Sequence, residues 1–154
     1  MTDQPPLYIA ADHAGFARKQ LLAKALTDYG YVVSDLGAPE FVDGDDYPQY
    51  AFALGRRVTV EPDAKGILLC GSGQGVCIAA NKVAGIRAVS AFSPEMAAST
   101  KTDDNANVLC LPARFIDDAT ALSITKTWLN TQFSEEPRHQ RRLAEIEQYE
   151  AANR

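Results

Sequence analysis

The run Gly66-Ile67-Leu68-Leu69-Cys70-Gly71-Ser72-Gly73-Gln74-Gly75-Val76-Cys77-Ile78-Ala79-Ala80-Asn81-Lys82 governs the reading of the whole chain. The apolar residues ending in Cys70 have the unbroken hydrophobicity of a strand covered on both faces, as in a parallel sheet. Gly71, Gly73 and Gly75 then let the backbone bend sharply and turn its N–H groups outward. From Val76 to Lys82 a small, apolar, helix-compatible pattern resumes. Strand, glycine turn and helix start together predict an anion site, because free N–H groups and the helix dipole point at it.

Two common glycine-loop motifs do not fit. A dinucleotide fingerprint needs G-x-G-x-x-G and an acidic residue about twenty positions on. Here the spacing is G-x-G-x-G, and the next acidic residue is Glu95. A nucleotide P-loop closes on G-K-[ST], which is absent. What distinguishes the turn is a thiol on the last strand residue, Cys70, and a hydroxyl two positions on, Ser72. Both fall at the mouth of the sheet, where α/β folds bind ligands. The plain alternative for Cys70 is an inert buried thiol. Its place beside a helix N-terminus argues for a thiolate instead.

With 154 residues and 16.7 kDa, the chain is expected to form one α/β domain over residues 1–154 with its own core. An apolar content of 46% and a charged content of 23% are those of a globular protein. A net charge of −5 argues against a nucleic-acid surface, so cations matter only as local clusters. Three cysteines make no disulfide framework and point to a reducing compartment. Two histidines and no C-x-x-C leave little for a zinc site, so no metal is expected. No apolar run reaches membrane-spanning length and no signal peptide is evident; the reading is cytoplasmic.

Around the central stretch, strand and helix patterns alternate. Met1 to Pro6 is a polar leader, expected to fray. Leu7 to Ala11 is a strand that runs straight into Asp12-His13-Ala14-Gly15. Phe16 to Tyr29 has helical spacing and stops at Gly30. Val32 and Val33 begin a second strand that ends near Asp35. A turn-rich acidic stretch from Gly37 to Asp46 follows, and Pro48 opens a helix reaching about Val60. Ile86 to Ala91 reads as a fourth strand. Ser93-Pro94-Glu95 starts a helix ending near Thr102. Asp103 to Asn107 then leads into a fifth strand, Val108 to Leu111. Ile116 to Thr131 is an amphipathic helix, and Arg138 to about Ala152 is a last, highly charged one.

This alternation predicts a parallel sheet with helices on both faces and chemistry at the carboxyl ends of the strands. Three clusters are assigned to such ends: Asp12-His13, Cys70-Gly71-Ser72, and the loop just before the fifth strand. Asp12 has a plain reading as a helix-capping turn residue, and His13 as a half-exposed bystander. Arg138 and Arg142, four apart, share a helix face and could fork onto a phosphate; otherwise they are a solvated basic face. Arg114 follows the fifth strand. Together these cations suit a small dianion better than a polymer. Leu143, Ile146 and Tyr149 are few apolar positions for the last helix to pack on its own domain. It is therefore read as an arm that packs on another subunit.

The residues Ala11-Asp12-His13-Ala14-Gly15, Asp46-Tyr47-Pro48, Cys70-Gly71-Ser72-Gly73-Gln74-Gly75, Ala79-Ala80-Asn81-Lys82, Gly85-Ile86-Arg87-Ala88, Asn107-Val108-Leu109 and Arg138-His139-Gln140-Arg141-Arg142 carry a resemblance that spans nearly the whole chain. It resembles the ribose-5-phosphate isomerase B and galactose-6-phosphate isomerase family of small sugar-phosphate isomerases. The resemblance implies a three-layer Rossmann-like sandwich with a five-stranded parallel sheet. It also implies a homodimer with composite active sites, often a dimer of dimers, and neither a metal nor an organic cofactor.

By the same resemblance, Cys70 is the base that moves a proton between C1 and C2. Ser72 and the N–H groups of Gly71, Gly73 and Gly75 hold the enediolate oxygens. Asp12 binds hydroxyls and assists transfer between the oxygens. His13, Arg114, Arg138 and Arg142 hold substrate and phosphate. One departure stands out: Asp103-Asp104 occupy the place of the family's His-Asn, where the His opens the sugar ring and the Asn contacts substrate. Asp103 is therefore a catalytic candidate and Asp104 a substrate-binding one. An ordinary Asp is ionised at neutral pH and donates a proton poorly. Beside a ribose-5-phosphate isomerase B type of activity, that departure raises a tetrose-phosphate isomerase whose substrate needs no ring opening. A third reading is a non-catalytic phosphosugar-binding module on the same fold, which would need the cations and glycines but no thiol base.

Overall fold

The structure, a computed structural model, describes residues 4–153. Its elements in chain order are β1 (Leu7–Ala11), α1 (Phe16–Asp28), β2 (Val33–Asp35), α2 (Tyr47–Val60), β3 (Lys65–Cys70), α3 (Gln74–Ala80), β4 (Ala88–Ser90), α4 (Pro94–Asp104), β5 (Val108–Pro112), α5 (Asp118–Asn130) and α6 (Pro137–Ala152). The five strands form one parallel sheet in the order β2-β1-β3-β5-β4, with helices on both faces. This is the α/β sandwich that the alternating pattern predicts. Residues 1–3 of the polar leader lie outside the described residues. Pro6 is tied down, its carbonyl accepting from the Lys65 N–H at 2.9 Å.

The core is two apolar layers divided by the sheet, as unbroken apolar strands require. One face packs Ile9, Leu69, Leu109 and Leu111 against Leu22 and Leu26 of α1 and Ile124 and Trp128 of α5. The other packs Tyr8, Leu68, Cys70 and Cys110 against Leu54 and Val58 of α2 and Val76 of α3. Each large side chain so buried contributes about 1.5–3 kcal/mol. The long helices start as their caps dictate: Ser93 Oγ accepts from the Met96 N–H at 3.2 Å, and Asp117 Oδ1 from the Thr120 N–H at 2.7 Å.

Two boundaries and one placement differ from the sequence reading in ways that matter. β4 is only Ala88–Ser90, because the Arg87 N–H turns aside to Asn107 Oδ1 at 2.8 Å and Ile86 closes a turn on Val83. α4 does not stop at Thr102 but carries Asp103 and Asp104 in its last turn. It ends on Asn105, whose left-handed backbone (φ 44°) lets the Ala106 N–H reach back to the Thr100 carbonyl. The third concerns place. All strands are parallel, so whatever precedes β5 sits at the amino edge of the sheet. The assignment of the loop before the fifth strand to a carboxyl end is therefore corrected. α6 packs partly on its own domain, burying His139 and Leu143 and accepting the Gly85 N–H on Glu150 at 2.9 Å. Ile146 and Tyr149 stay 56% and 73% exposed.

Candidate active site

β3 and β1 deliver the first cluster together. Their parallel register sets Ala11 beside Leu69, so Asp12 and Cys70 emerge side by side from the carboxyl edge. Cys70 is buried, 4% exposed, at the floor of the glycine turn. Gly73 adopts φ 74°, which no ordinary side chain tolerates well, and its missing Cβ would stand 2.9 Å from the Leu111 carbonyl carbon. Ser72 is exposed at the rim and accepts the Gln74 N–H at 3.3 Å. α3 spans only seven residues, so the donors at this turn are local N–H groups more than a long dipole.

The glycines also make room for neighbours. A Cβ on Gly71 would meet the Arg114 guanidinium at 2.7 Å, and one on Gly75 would meet the Tyr47 ring at 2.6 Å. Arg114 is fixed over the turn by its N–H, which donates to the Gly71 carbonyl at 3.0 Å. Asp12 is buried, and its Oδ1 accepts from the Ala14 and Gly15 N–H groups at 3.0 and 3.2 Å. Asp12 thus ties the turn after β1 but does not cap α1, whose N-cap is Gly15, and the register of β1 and β3 sets its carboxylate beside Cys70.

His13 completes this edge, and it brings partners the sequence reading missed. Its backbone N–H donates to Asp45 Oδ1 at 2.7 Å and its ring Nδ1 lies 3.1 Å from the same oxygen. Asp45 Oδ2 accepts from the Tyr50 hydroxyl at 2.8 Å. The side-chain hydrogen bond that His13 donates to Asp45 raises the His13 pKa above its ordinary value, outweighing burial, with the Asp12 charge adding to it. Burial pushes the Asp45 carboxyl up, but the Tyr50 hydroxyl and the two His13 donors outweigh it and hold it below its usual range. No local motif announces Asp45, which is 32 residues from His13. The only signal was the acidic turn ahead of Asp46-Tyr47-Pro48.

A second cluster gathers at the opposite edge. Asp103 is half exposed, accepts from the Thr102 hydroxyl at 2.9 Å, and lies 3.8 Å from His139 Nε2. His139 is buried, its Nδ1 2.8 Å from Ser134 Oγ and its Nε2 accepting from Arg138 Nε at 3.3 Å. Arg138 also pairs with Glu136 at 3.0 Å. Arg142 follows one turn along α6, and Asp104 sits beside Asp103, both exposed. The chain therefore unites Asp12, His13, Cys70, Gly71, Ser72, Gly73, Gly75 and Arg114 at one edge of the sheet. It holds Asp103, Asp104, Arg138 and Arg142 apart from them. Among the described residues, no group of three or more His, Cys, Asp or Glu side chains is arranged to hold a metal. No helix there is long and apolar enough to cross a membrane.

A thiol, a hydroxyl and a glycine turn at the mouth of a parallel α/β sheet, flanked by a carboxylate, a His with a raised pKa and an Arg, define an enzyme of small anionic substrates. The particular family follows from comparison: residues 7–146 match the Ribose/Galactose Isomerase family model, and the chain belongs to that family. It is 43% identical over 145 residues to a probable ribose-5-phosphate isomerase B of Mycoplasma pneumoniae, covering 94% of this chain and 95% of the relative. It is 38% identical over 144 residues to ribose-5-phosphate isomerase B of Mycobacterium tuberculosis H37Rv, covering 94% and 89%. Among solved structures, ribose-5-phosphate isomerase B of Mycoplasma genitalium with bound ribulose-5-phosphate superposes with a TM-score of 0.89. It shares 40% identity, covering 95% of this chain and 96% of that one. The Clostridium thermocellum enzyme superposes with a TM-score of 0.91 at 34% identity, covering 97% and 99%.

Proposed function

We propose that the chain interconverts ribose 5-phosphate and ribulose 5-phosphate, with Cys70 as the base. The protein is a sugar-phosphate aldose–ketose isomerase of the ribose-5-phosphate isomerase B type. The carrying observation is Cys70, 4% exposed, on the last residue of β3 where the glycine turn Gly71–Gly75 begins. In the reaction, the Cys70 thiolate takes the proton from C2 of the open-chain aldose. The electrons move to the C1 carbonyl, giving an enediolate, and the thiol returns the proton to C1. Ser72 and the turn N–H groups face the oxygens on which charge develops. Losing one such preorganised donor typically costs about 10²–10³ in rate. Asp12 is the group for the hydroxyl protons, and His13 and Arg114 are the cations for phosphate. A binding module would need neither thiol nor rim hydroxyl, which weighs against the non-catalytic reading. The relatives named above give the four-carbon substrate no support.

Asp103, Asp104, Arg138 and Arg142 join this reading through a second subunit. Their place at the amino edge of the sheet supports a homodimer with composite sites. Exposed Ile78, Phe92 and Met96 on α3, after β4 and on α4 flank the edge strand and suit an apolar interface. Cys70, Cys77 and Cys110 are all free thiols, in keeping with a cytoplasmic setting. The test is a sugar-phosphate panel comparing kcat/KM for ribose 5-phosphate and erythrulose 4-phosphate, in the natural chain and in Asp103→His. A preference for the pentose is expected; a preference for the tetrose that Asp103→His reverses would overturn the substrate reading.

A further inference from the structure

We propose that Asp45, braced by Tyr50, is a positioning residue for the reaction: it fixes His13 with Nδ1 tied back and Nε2 turned toward the phosphate end of the substrate. This rests on the reading of His13 as a phosphate-holding group. The geometry is that of an orienting relay. One carboxylate oxygen engages both the His13 backbone N–H (2.7 Å) and its Nδ1 (3.1 Å), so the ring cannot flip without losing a partner. The other oxygen takes the Tyr50 hydroxyl at 2.8 Å, which pins the carboxylate to the first turns of α2. Asp45 is 6% exposed and His13 31% exposed, so the orienting group is sealed and the working ring open. A sealed carboxylate beside an open imidazole favours the doubly protonated ring, the only form that donates from Nε2 while Nδ1 also donates.

The charges bearing on this pair are few. Asp45 and Asp12 act on His13, from the loop after Gly37 and the end of β1; both raise its pKa. On Asp45 the facing groups are His13 and the Tyr50 hydroxyl, and Tyr50 in turn feels Asp45 and Asp12. His13 thus stays cationic to higher pH than a free imidazole, matching a substrate phosphate that becomes a dianion above about pH 6. The sequence assigned His13 no partner. Its charge and aim come from a residue on another loop.

The test is Asp45→Asn, which keeps size and hydrogen-bonding shape and removes the charge. In the variant the His13 pKa, followed by NMR of the labelled ring, is expected to fall toward the ordinary value of about 6.5. The KM for ribose 5-phosphate should rise about 5- to 10-fold over the natural enzyme at pH 8 and only about 2-fold at pH 6, with kcat changed less than about 2-fold. Tyr50→Phe, a milder change, should move KM in the same direction by a smaller factor. In a His13→Gln background, Asp45→Asn should add nothing. A KM ratio equal at both pH values, or an unmoved His13 titration in folded Asp45→Asn, would overturn the proposal. If the natural chain turned over no sugar phosphate, the proposed function would fail instead. The relay would then be judged on inorganic phosphate binding and the NMR titration, where the same pH-dependent loss is expected and its absence is refuting.

Discussion

Mixing two inactivated chains gives the sharpest test of where the site is assembled. The perturbations are Cys70→Ala, which removes the proposed base, and the double variant Arg138→Ala/Arg142→Ala, which removes two cations of α6. Cys70 pairs with Pro112 at the carboxyl end of β5, whereas Asp103 and Arg138 gather before Val108 at its start. At about 3.3 Å per residue, the four steps from Val108 to Pro112 alone separate the clusters by about 13 Å, and the sheet lies between them. A sugar phosphate cannot bridge that divide within one chain. Hydrogen bonds to a charged group contribute about 1.5–3 kcal/mol each, so loss of an arginine fork should lower kcat/KM by about 10²-fold or more. Each variant alone should be nearly silent at substrate concentrations below KM. In the proposed dimer, co-expression of the two at equal levels makes half of the dimers mixed. Each mixed dimer has one site with both lesions and one with none. About a quarter of wild-type activity should therefore return if the dimer is two-fold symmetric and shares its sites. The assay is continuous isomerisation on co-expressed, doubly tagged protein, with mass spectrometry confirming mixed dimers. Mixed dimers that remain inactive would refute the composite site.

Two further outcomes follow from buried groups. Cys70→Ala should lower kcat by about 10³-fold or more while the protein still binds a substrate analogue by calorimetry, because the group lost acts only on the proton in transit; near-normal turnover would remove Cys70 from the mechanism. Lys101 is buried in α4, where burial first and then Lys65 and Arg87 hold its ammonium down to about 8. Between that value and the unfolded one of about 10.4, the unfolded chain binds the proton more tightly, so this group adds stability as pH rises. Relative to Lys101→Met, the natural chain should gain on the order of 3 kcal/mol by urea unfolding between pH 7 and pH 11, at about 1.4 kcal/mol per pKa unit. A gap independent of pH would show that Lys101 is not held this way.

The residues that can be understood from their immediate neighbours were legible in the sequence. Apolar runs bounded by glycine or proline define β1, β3 and β5, and the capping hydroxyl and proline at Ser93-Pro94 start α4 where expected, because strand burial and helix capping depend on a few consecutive residues. The Cys70 to Gly75 turn belongs to this class, since thiol, hydroxyl and N–H donors lie within six positions of one another. What only the tertiary structure decided was how separate pieces face each other. Asp45 meets His13 because the loop after Gly37 folds back over β1, a closure that no periodicity encodes. Asp103 lies at the amino edge because α4 runs on to a left-handed Asn105, and because every strand in a parallel sheet begins at the same edge. α6 lies against Gly85 and keeps Tyr149 outward because Glu150 finds a backbone N–H 65 residues away. Such pairings are set by long-range loop closure, whose cost varies only slowly with the length of intervening chain, so spacing in the sequence carries almost no information about them.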